Sequence, residues 1–372
     1  YTHSHNAADE ATLYVMDVAT RKTSKIDTIA GAKYAQPSWT PDSKGFYYTR
    51  LPVDATIPTA DRPGHAAIYY HRLGVDPKQD KLIRDKTGDP RTFIHADVSR
   101  DGRYLFLYIF HGWTKTDLYF KDLRRHRKFQ KLAVGLEAKF AAYAWKRRIY
   151  LWTNDRAPNY RLYRIDPRKT ERRQWREIVP ERKDAVLRDF TVVGNSLALQ
   201  YLKNASSELR LTSLDGKLRR TIALPGIGSA SNLVGDPDRD EAYYSYSSFI
   251  TPRTIYETSV KKGGRKVYFQ LEAAIDASTL EVKQVWYRSK DGTKVSMFII
   301  GKKGMVLDGS TSFVLYGYGG FDVSITPRFR PENFVLFDAG GALALPNLRG
   351  GGEYGESWHQ AGMITHKQNV FD

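Results

Sequence analysis

The sequence predicts an all-β propeller over residues 1–270, followed by the start of an α/β domain over residues 271–372. Three observations predict it. Strand pairs joined by Asp-, Asn- or Gly-bearing turns recur along the first part, and each is followed by a second, outer pair. Beyond about residue 270 this rhythm stops, and continuous apolar runs ending in glycine clusters take over. Repeats of about 40–50 residues with four short strands each mark a propeller. Unbroken apolar runs are the signature of strands buried in a parallel sheet.

In chain order, Thr12–Val18 alternates as a half-buried strand does, and Ala11–Ile29 makes a partial first unit. Pro37–Trp39, Asp42–Gly45 and Phe46–Tyr48 then read as strand, turn and strand, the hairpin signal. Phe93–Ser99 with Arg103–Ile109 repeats it, as do Tyr143–Trp145 with Ile149–Trp152, and Phe190–Val193 with Leu197–Tyr201. Leu233-Val234 with Ala242–Tyr246 is the last. The spacing from Trp39 to Asp97, Trp145, Phe190 and Leu233 drifts from about 58 to about 43 residues. Outer pairs follow each hairpin, for example Ala67–Leu73 with Lys81–Arg84 and Ile255–Val260 with Lys266–Gln270, giving five full units. Leu271–Thr279 reads as a connector, Val282–Tyr287 with Lys294–Ile300 as one more hairpin, and Lys302–Ser310 as a loop. Glu356–Gln368 holds a turn of helix, and Asn369 is expected to cap a further one.

Composition sets independent bounds. The 372 residues suggest about two domains. A 41% hydrophobic and 13% aromatic content is that of a folded chain. Tyr (24) exceeds Phe (17) and Met is scarce (4), which favours strands. With no cysteine, disulfides and thiolate metal sites are excluded. No apolar run reaches membrane-spanning length. The chain begins at Tyr1 rather than Met and stops at Asp372, so both ends read as cuts through a longer protein. Cytoplasm and periplasm both stay open.

The chemistry concentrates in Ser312–Gly355. Phe313-Val-Leu315 runs into Tyr316-Gly-Tyr-Gly-Gly320, and Gly341–Leu345 ends near Gly350-Gly-Gly352. Glycines directly after a strand let the backbone take positive φ or approach a ligand closely. In α/β-hydrolases the loop after an early strand supplies part of the oxyanion hole, and Tyr316–Gly320 stands where that loop would be. The strings YGYGGF, NLRGGGEYGESWH and KQNVFD, with WTPDSKGFYY, SRDGRYLF and SKDGTKVSMFI upstream, resemble the prolyl oligopeptidase family along essentially the whole chain. One departure is Leu345-Pro346 before Asn347, where members of that family usually carry small residues; a proline there is expected only at the exit of the strand.

The resemblance implies a seven-bladed propeller, of which this chain holds about five to six blades, gating an α/β-hydrolase that cleaves short peptides after proline. It implies a Ser–Asp–His triad with the serine in a Gly-x-Ser-x-Gly-type elbow. No such string occurs here, so the triad lies outside this chain and the chain alone is expected to be inactive. By the same resemblance Tyr318 takes the oxyanion position, where a protonated phenol donates to the developing negative charge. Phe321 takes the place of the ring that lines the proline pocket. Tyr34, Phe93 and Trp113 fall at substrate-binding positions of the propeller. The expected partners are short proline-containing peptides met by a monomer, with no membrane and no cofactor. The alternative is a non-catalytic propeller used as a binding module.

The net charge is +17, from 58 Lys and Arg against 41 Asp and Glu. Its clusters, Arg124–Lys128, Arg168–Arg173, Arg182-Lys183, Arg219-Arg220 and Lys261-Lys262, fall in turns and blade connections where charge is solvated. No basic platform interleaved with aromatics appears, so nucleic acid is not expected. The nine histidines have no metal-ligand spacing and read as lone surface residues. Asp42, Asp101 and Asp291 read as turn residues.

Overall fold

The computed structural model describes residues 1–5, 10–125, 128–273 and 275–372. His126 and Arg127 of the first basic cluster lie outside the described residues. The chain divides into two compact units, 1–155 with 165–175, and 156–164 with 176–372.

The first unit is built of antiparallel sheets. Thr2–His3, Thr12–Met16 and Thr23–Ala30 form a three-stranded sheet. Ser38–Trp39, Gly45–Arg50, Ala67–Arg72 and Lys81–Arg84 follow as a four-stranded blade in chain order. Thr92–Val98, Tyr104–His111, Lys115–Asp122 and Gln130–Ala133 repeat it. The hairpin Phe140–Trp145 and Arg148–Thr153 ends this unit's strands. The turns carry the chemistry read from the sequence: the Asp42 carboxylate accepts from the Thr40 hydroxyl (2.7 Å) and the Lys44 amide (3.2 Å). Asp101 does the same for Ser99 (2.6 Å) and Arg103 (3.1 Å). Tyr47, Ile68, Ile94, Leu105 and Leu107 fill the core between two of the blades.

The second unit holds Arg161–Arg164 of the strand Arg161–Ile165, which pairs with Arg176–Val179. A four-stranded blade, Val186–Val193, Ser196–Lys203, Ser206–Thr212 and Leu218–Ile222, comes next. A five-stranded sheet follows, with Glu241–Ser247, Thr254–Ser259 and Gly263–Gln270 at its centre and outer side. After the connector 271–279 the pattern changes. Leu280–Arg288 and Lys294–Lys302 form a hairpin, Ala342–Pro346 joins it antiparallel, and Phe313–Leu315 adds to Ala342–Pro346 in parallel. Phe298, Ile300, Leu343 and Leu345 pack against Phe334 and Phe337 of a short helix, α1 (Phe334–Asp338). Pro346 stands at the last position of its strand, as its missing N–H requires.

Three expectations need correction. Ala342–Pro346 is buried throughout, but Phe313–Leu315 is not; Leu315 is 69% exposed. The apolar run does make a parallel strand, yet it is the outer strand of its sheet and has one neighbour rather than two. Asn369 caps no helix: it lies inside a 3₁₀ turn, Ile364–Val370, and donates its side-chain amide to the Ala361 carbonyl (3.0 Å). The histidines are not all lone surface residues. His71 is fully buried, with Nε2 2.9 Å from Asp27 and Nδ1 2.8 Å from Asp80, and His359 is buried against Glu356. Two carboxylates bring hydrogen-bond acceptors to both His71 ring nitrogens, which makes burial affordable.

Candidate active-site loop

The loop Tyr316–Phe321 leaves the Phe313–Leu315 strand with its first amide still in register, Tyr316 N–H donating to the Ala344 carbonyl (3.0 Å). Gly319 takes φ +59. A Cβ there would run into Val370 Cγ1 and stand 3.0 Å from the Arg349 carbonyl. Gly350 (φ +91) approaches from the other side, where a Cβ would lie 2.7 Å from the Gly319 carbonyl. The two glycine clusters that stood out in the sequence are therefore packed backbone against backbone, a separation that any side chain would open. Lys367 Nζ donates to the Gly319 carbonyl (2.6 Å), and Asp322 N–H to the Gly350 carbonyl (3.1 Å).

That packing fixes where Tyr318 and Phe321 go. Tyr318 is 46% exposed and lines a cavity of about 560 Å³ together with Tyr316, Ser324, Thr326 and Arg328. Phe321 is 61% exposed, its ring centroid 6.5 Å from that of Tyr318. Phe321 and Asp322 both hold positive φ, +52 and +59. Left-handed backbone at consecutive bulky or charged residues is strained, and such strain gathers at functional sites.

The Asn347–Tyr354 segment braces the chain just beyond the loop, at Ile325, in a way the sequence did not reveal. Asn347 Nδ2 donates to the Ile325 carbonyl (2.7 Å), while the Ile325 N–H donates to Glu353 Oε1 (2.7 Å). One peptide-bearing residue is thus gripped at both its polar groups. Asn347 Oδ1 accepts from the Ser296 hydroxyl (2.7 Å), which also meets the Tyr354 hydroxyl at 2.5 Å. Arg349, 4% exposed, donates to Asp291, to the Ser289 hydroxyl (2.8 Å) and to the Asn369 carbonyl (3.2 Å). Asp291 is accordingly both the turn residue read from the sequence, accepting from Thr293 N–H at 3.0 Å, and an ion-pair partner. Burial pushes the Glu353 carboxyl up to about 7, against the pull of the Ile325 amide and of Arg188. Its Oε2 has no hydrogen-bond partner. Burial likewise raises Tyr354 to about 12.

In the first unit, Tyr34 and Phe93 meet edge to face with centroids 5.3 Å apart. Phe93 lies on Thr92–Val98 opposite Phe110, and Trp113, 67% exposed, sits in the turn just after His111. Because Thr92 pairs with His111 and His111 with Lys115, Phe93 and Trp113 share one end of one blade. Among the described residues no group of three His, Asp or Glu side chains is placed to hold a metal ion, and no helix is long and apolar enough to cross a membrane. The arrangement offers an exposed phenol donor and an exposed ring beside a cavity. Ser324 lines the same cavity with its hydroxyl buried and unpartnered, but without the flanking glycines of a nucleophile elbow.

Comparison with known proteins agrees in both halves. The model of the prolyl oligopeptidase N-terminal β-propeller domain matches residues 1–270, and that of the prolyl oligopeptidase family matches residues 327–372. A prolyl endopeptidase of Elizabethkingia meningoseptica is 33% identical over 375 aligned positions, covering 100% of this chain and 52% of the relative. Prolyl oligopeptidase A of Galerina marginata is 32% identical, with 100% and 54% covered. A solved chain from a study of two prolyl endopeptidases superposes with a TM-score of 0.97 at 49% identity, covering 100% of this chain and 55% of that one. Prolyl oligopeptidase B of Galerina marginata, bound to a 35mer hydrolysis and macrocyclization substrate, superposes at 0.90 and 30% identity, covering 100% and 54%. The chain spans about half the length of the curated relatives it matches.

Proposed function

The chain belongs to the prolyl oligopeptidase family, and we propose that it supplies the gating propeller and the leading part of the catalytic domain of a serine endopeptidase that cuts short peptides after proline. The boundary between the two is placed near Leu271, between the last blade strand, Gly263–Gln270, and the connector 271–279. The reading is carried by the glycine-locked loop, whose Tyr318 is among the residues lining a cavity of about 560 Å³.

In this assignment Tyr318 donates to the oxyanion formed when a serine attacks the scissile carbonyl, with a histidine as base and an aspartate orienting it. Phe321 offers its flat face to the substrate proline, a large contact at small entropic cost. Tyr34, Phe93 and Trp113 are assigned to peptide contact on the propeller side. The triad is assigned to sequence other than this chain, whose serines lack the glycine-flanked setting of a nucleophile elbow.

The test is cleavage of a short proline-containing peptide by the product of the complete reading frame, with Tyr318→Phe as the variant. Loss of one oxyanion donor lowers kcat on the order of 10²–10³-fold and leaves KM nearly unchanged. Unchanged kcat removes Tyr318 from the oxyanion role. A reading frame with no glycine-flanked serine elbow removes the peptidase reading altogether and leaves a propeller binding module.

A further inference from the structure

A second concave site lies in the first unit. Arg103, Arg125, Lys146, Arg147, Arg148 and Arg168 line a cleft of about 450 Å³, together with Tyr104, Asp166 and Pro167. We infer that this cleft binds a compact polyanion of linked phosphates.

The charge balance points that way. Asp166 accepts both Arg168 guanidinium contacts (3.1 and 2.8 Å) and one from Arg148 (3.4 Å), and Asp122 accepts a two-armed contact from Arg103 (3.1 and 2.9 Å). Two carboxylates thus orient three guanidinium groups, and the cleft lining holds six cationic side chains and one carboxylate, Asp166. Guanidinium forks held in fixed planes suit phosphate oxygens, which take paired N–H donors.

The backbone supplies an independent observation. Phe140–Trp145 and Arg148–Thr153 are joined by a two-residue turn, Lys146-Arg147, with Trp145 paired to Arg148. Both turn residues take positive φ, +44 and +60. That geometry favours Asn-Gly, which adopts it with little strain. Two long cationic side chains in its place cost stability, and they put both charges on the cleft wall.

Nucleic acid fits less well than a phosphate chain. The one aromatic in the lining, Tyr104, is 2% exposed, and the Arg103 guanidinium stands 5.0 Å from its ring centroid, so it offers no face on which a base could stack.

The test is calorimetric titration of the 372-residue chain with inorganic tripolyphosphate at low salt. The double variant K146N/R147G gives the turn its preferred residues and removes two of the six charges. Saturable binding is expected for the wild type, with affinity at least tenfold weaker in K146N/R147G and a higher melting temperature for that variant. Arg125→Ala, which leaves the turn untouched, should also weaken binding. The inference is overturned if the wild type shows no saturable binding or if K146N/R147G binds as tightly. It is equally overturned if sodium sulfate, titrated at matched ionic strength, binds as tightly as tripolyphosphate.

Discussion

Glu353→Gln should change how the stability of this chain depends on pH. Glu353 is 1% exposed, and burial raises its carboxyl from an ordinary 4.5 to about 7. The protonated form is therefore favoured in the folded state. Stability from this group is complete below about pH 4.5, falls as pH rises between that value and about 7, and levels off above. A rise of about 2.5 units at 1.36 kcal/mol per unit amounts to about 3 kcal/mol. Glutamine carries no charge at any of these pH values, and its amide oxygen still accepts from the Ile325 N–H. Its amide nitrogen falls where Oε2 lies unpartnered, a cost that does not vary with pH. Urea unfolding of wild type and variant, followed by tryptophan fluorescence at about pH 5 and about pH 8, isolates the effect, because other titrating groups cancel in the difference. The stability of the variant relative to wild type should rise by about 2–3 kcal/mol between the two. An equal difference at both pH values would mean that Glu353 is ionised in the fold throughout, and the desolvation argument would be wrong.

Two further substitutions examine other buried polar clusters. Arg349→Lys replaces a planar fork by a point charge that cannot reach the Ser289 hydroxyl, the Asn369 carbonyl and Asp291 together. Losing the donors to Ser289 and Asn369 should cost about 2 kcal/mol, read as a lower urea midpoint at unchanged slope. His71→Asn leaves the Asp27 and Asp80 carboxylates facing each other without the imidazole between them. About 3 kcal/mol should be lost at neutral pH, measured as a fall in melting temperature.

What was legible in the sequence was local. Asp42 and Asp101 build their turns with groups two residues away, so the hairpins could be placed from residue types alone. Gly319 and Gly350 could be picked out because a positive φ leaves its mark in composition, although nothing in the string showed that they face one another. The misreadings depend on neighbours remote in sequence. His71 is buried because Asp27, 44 residues earlier, reaches its Nε2. Phe313–Leu315 looks like a central strand in composition, but its exposure is decided by how many strands flank it. The same reason explains why Asn347 and Glu353 were read only as letters in a motif. Their task is to hold Ile325, 22 and 28 residues away, at its carbonyl and its amide. The visible residue of this site is Tyr318, exposed at a cavity, while the groups that hold the adjoining chain at Ile325 are buried. Truncating Tyr318 therefore tests chemistry, and altering Asn347, Arg349 or Glu353 tests the support on which that chemistry would depend.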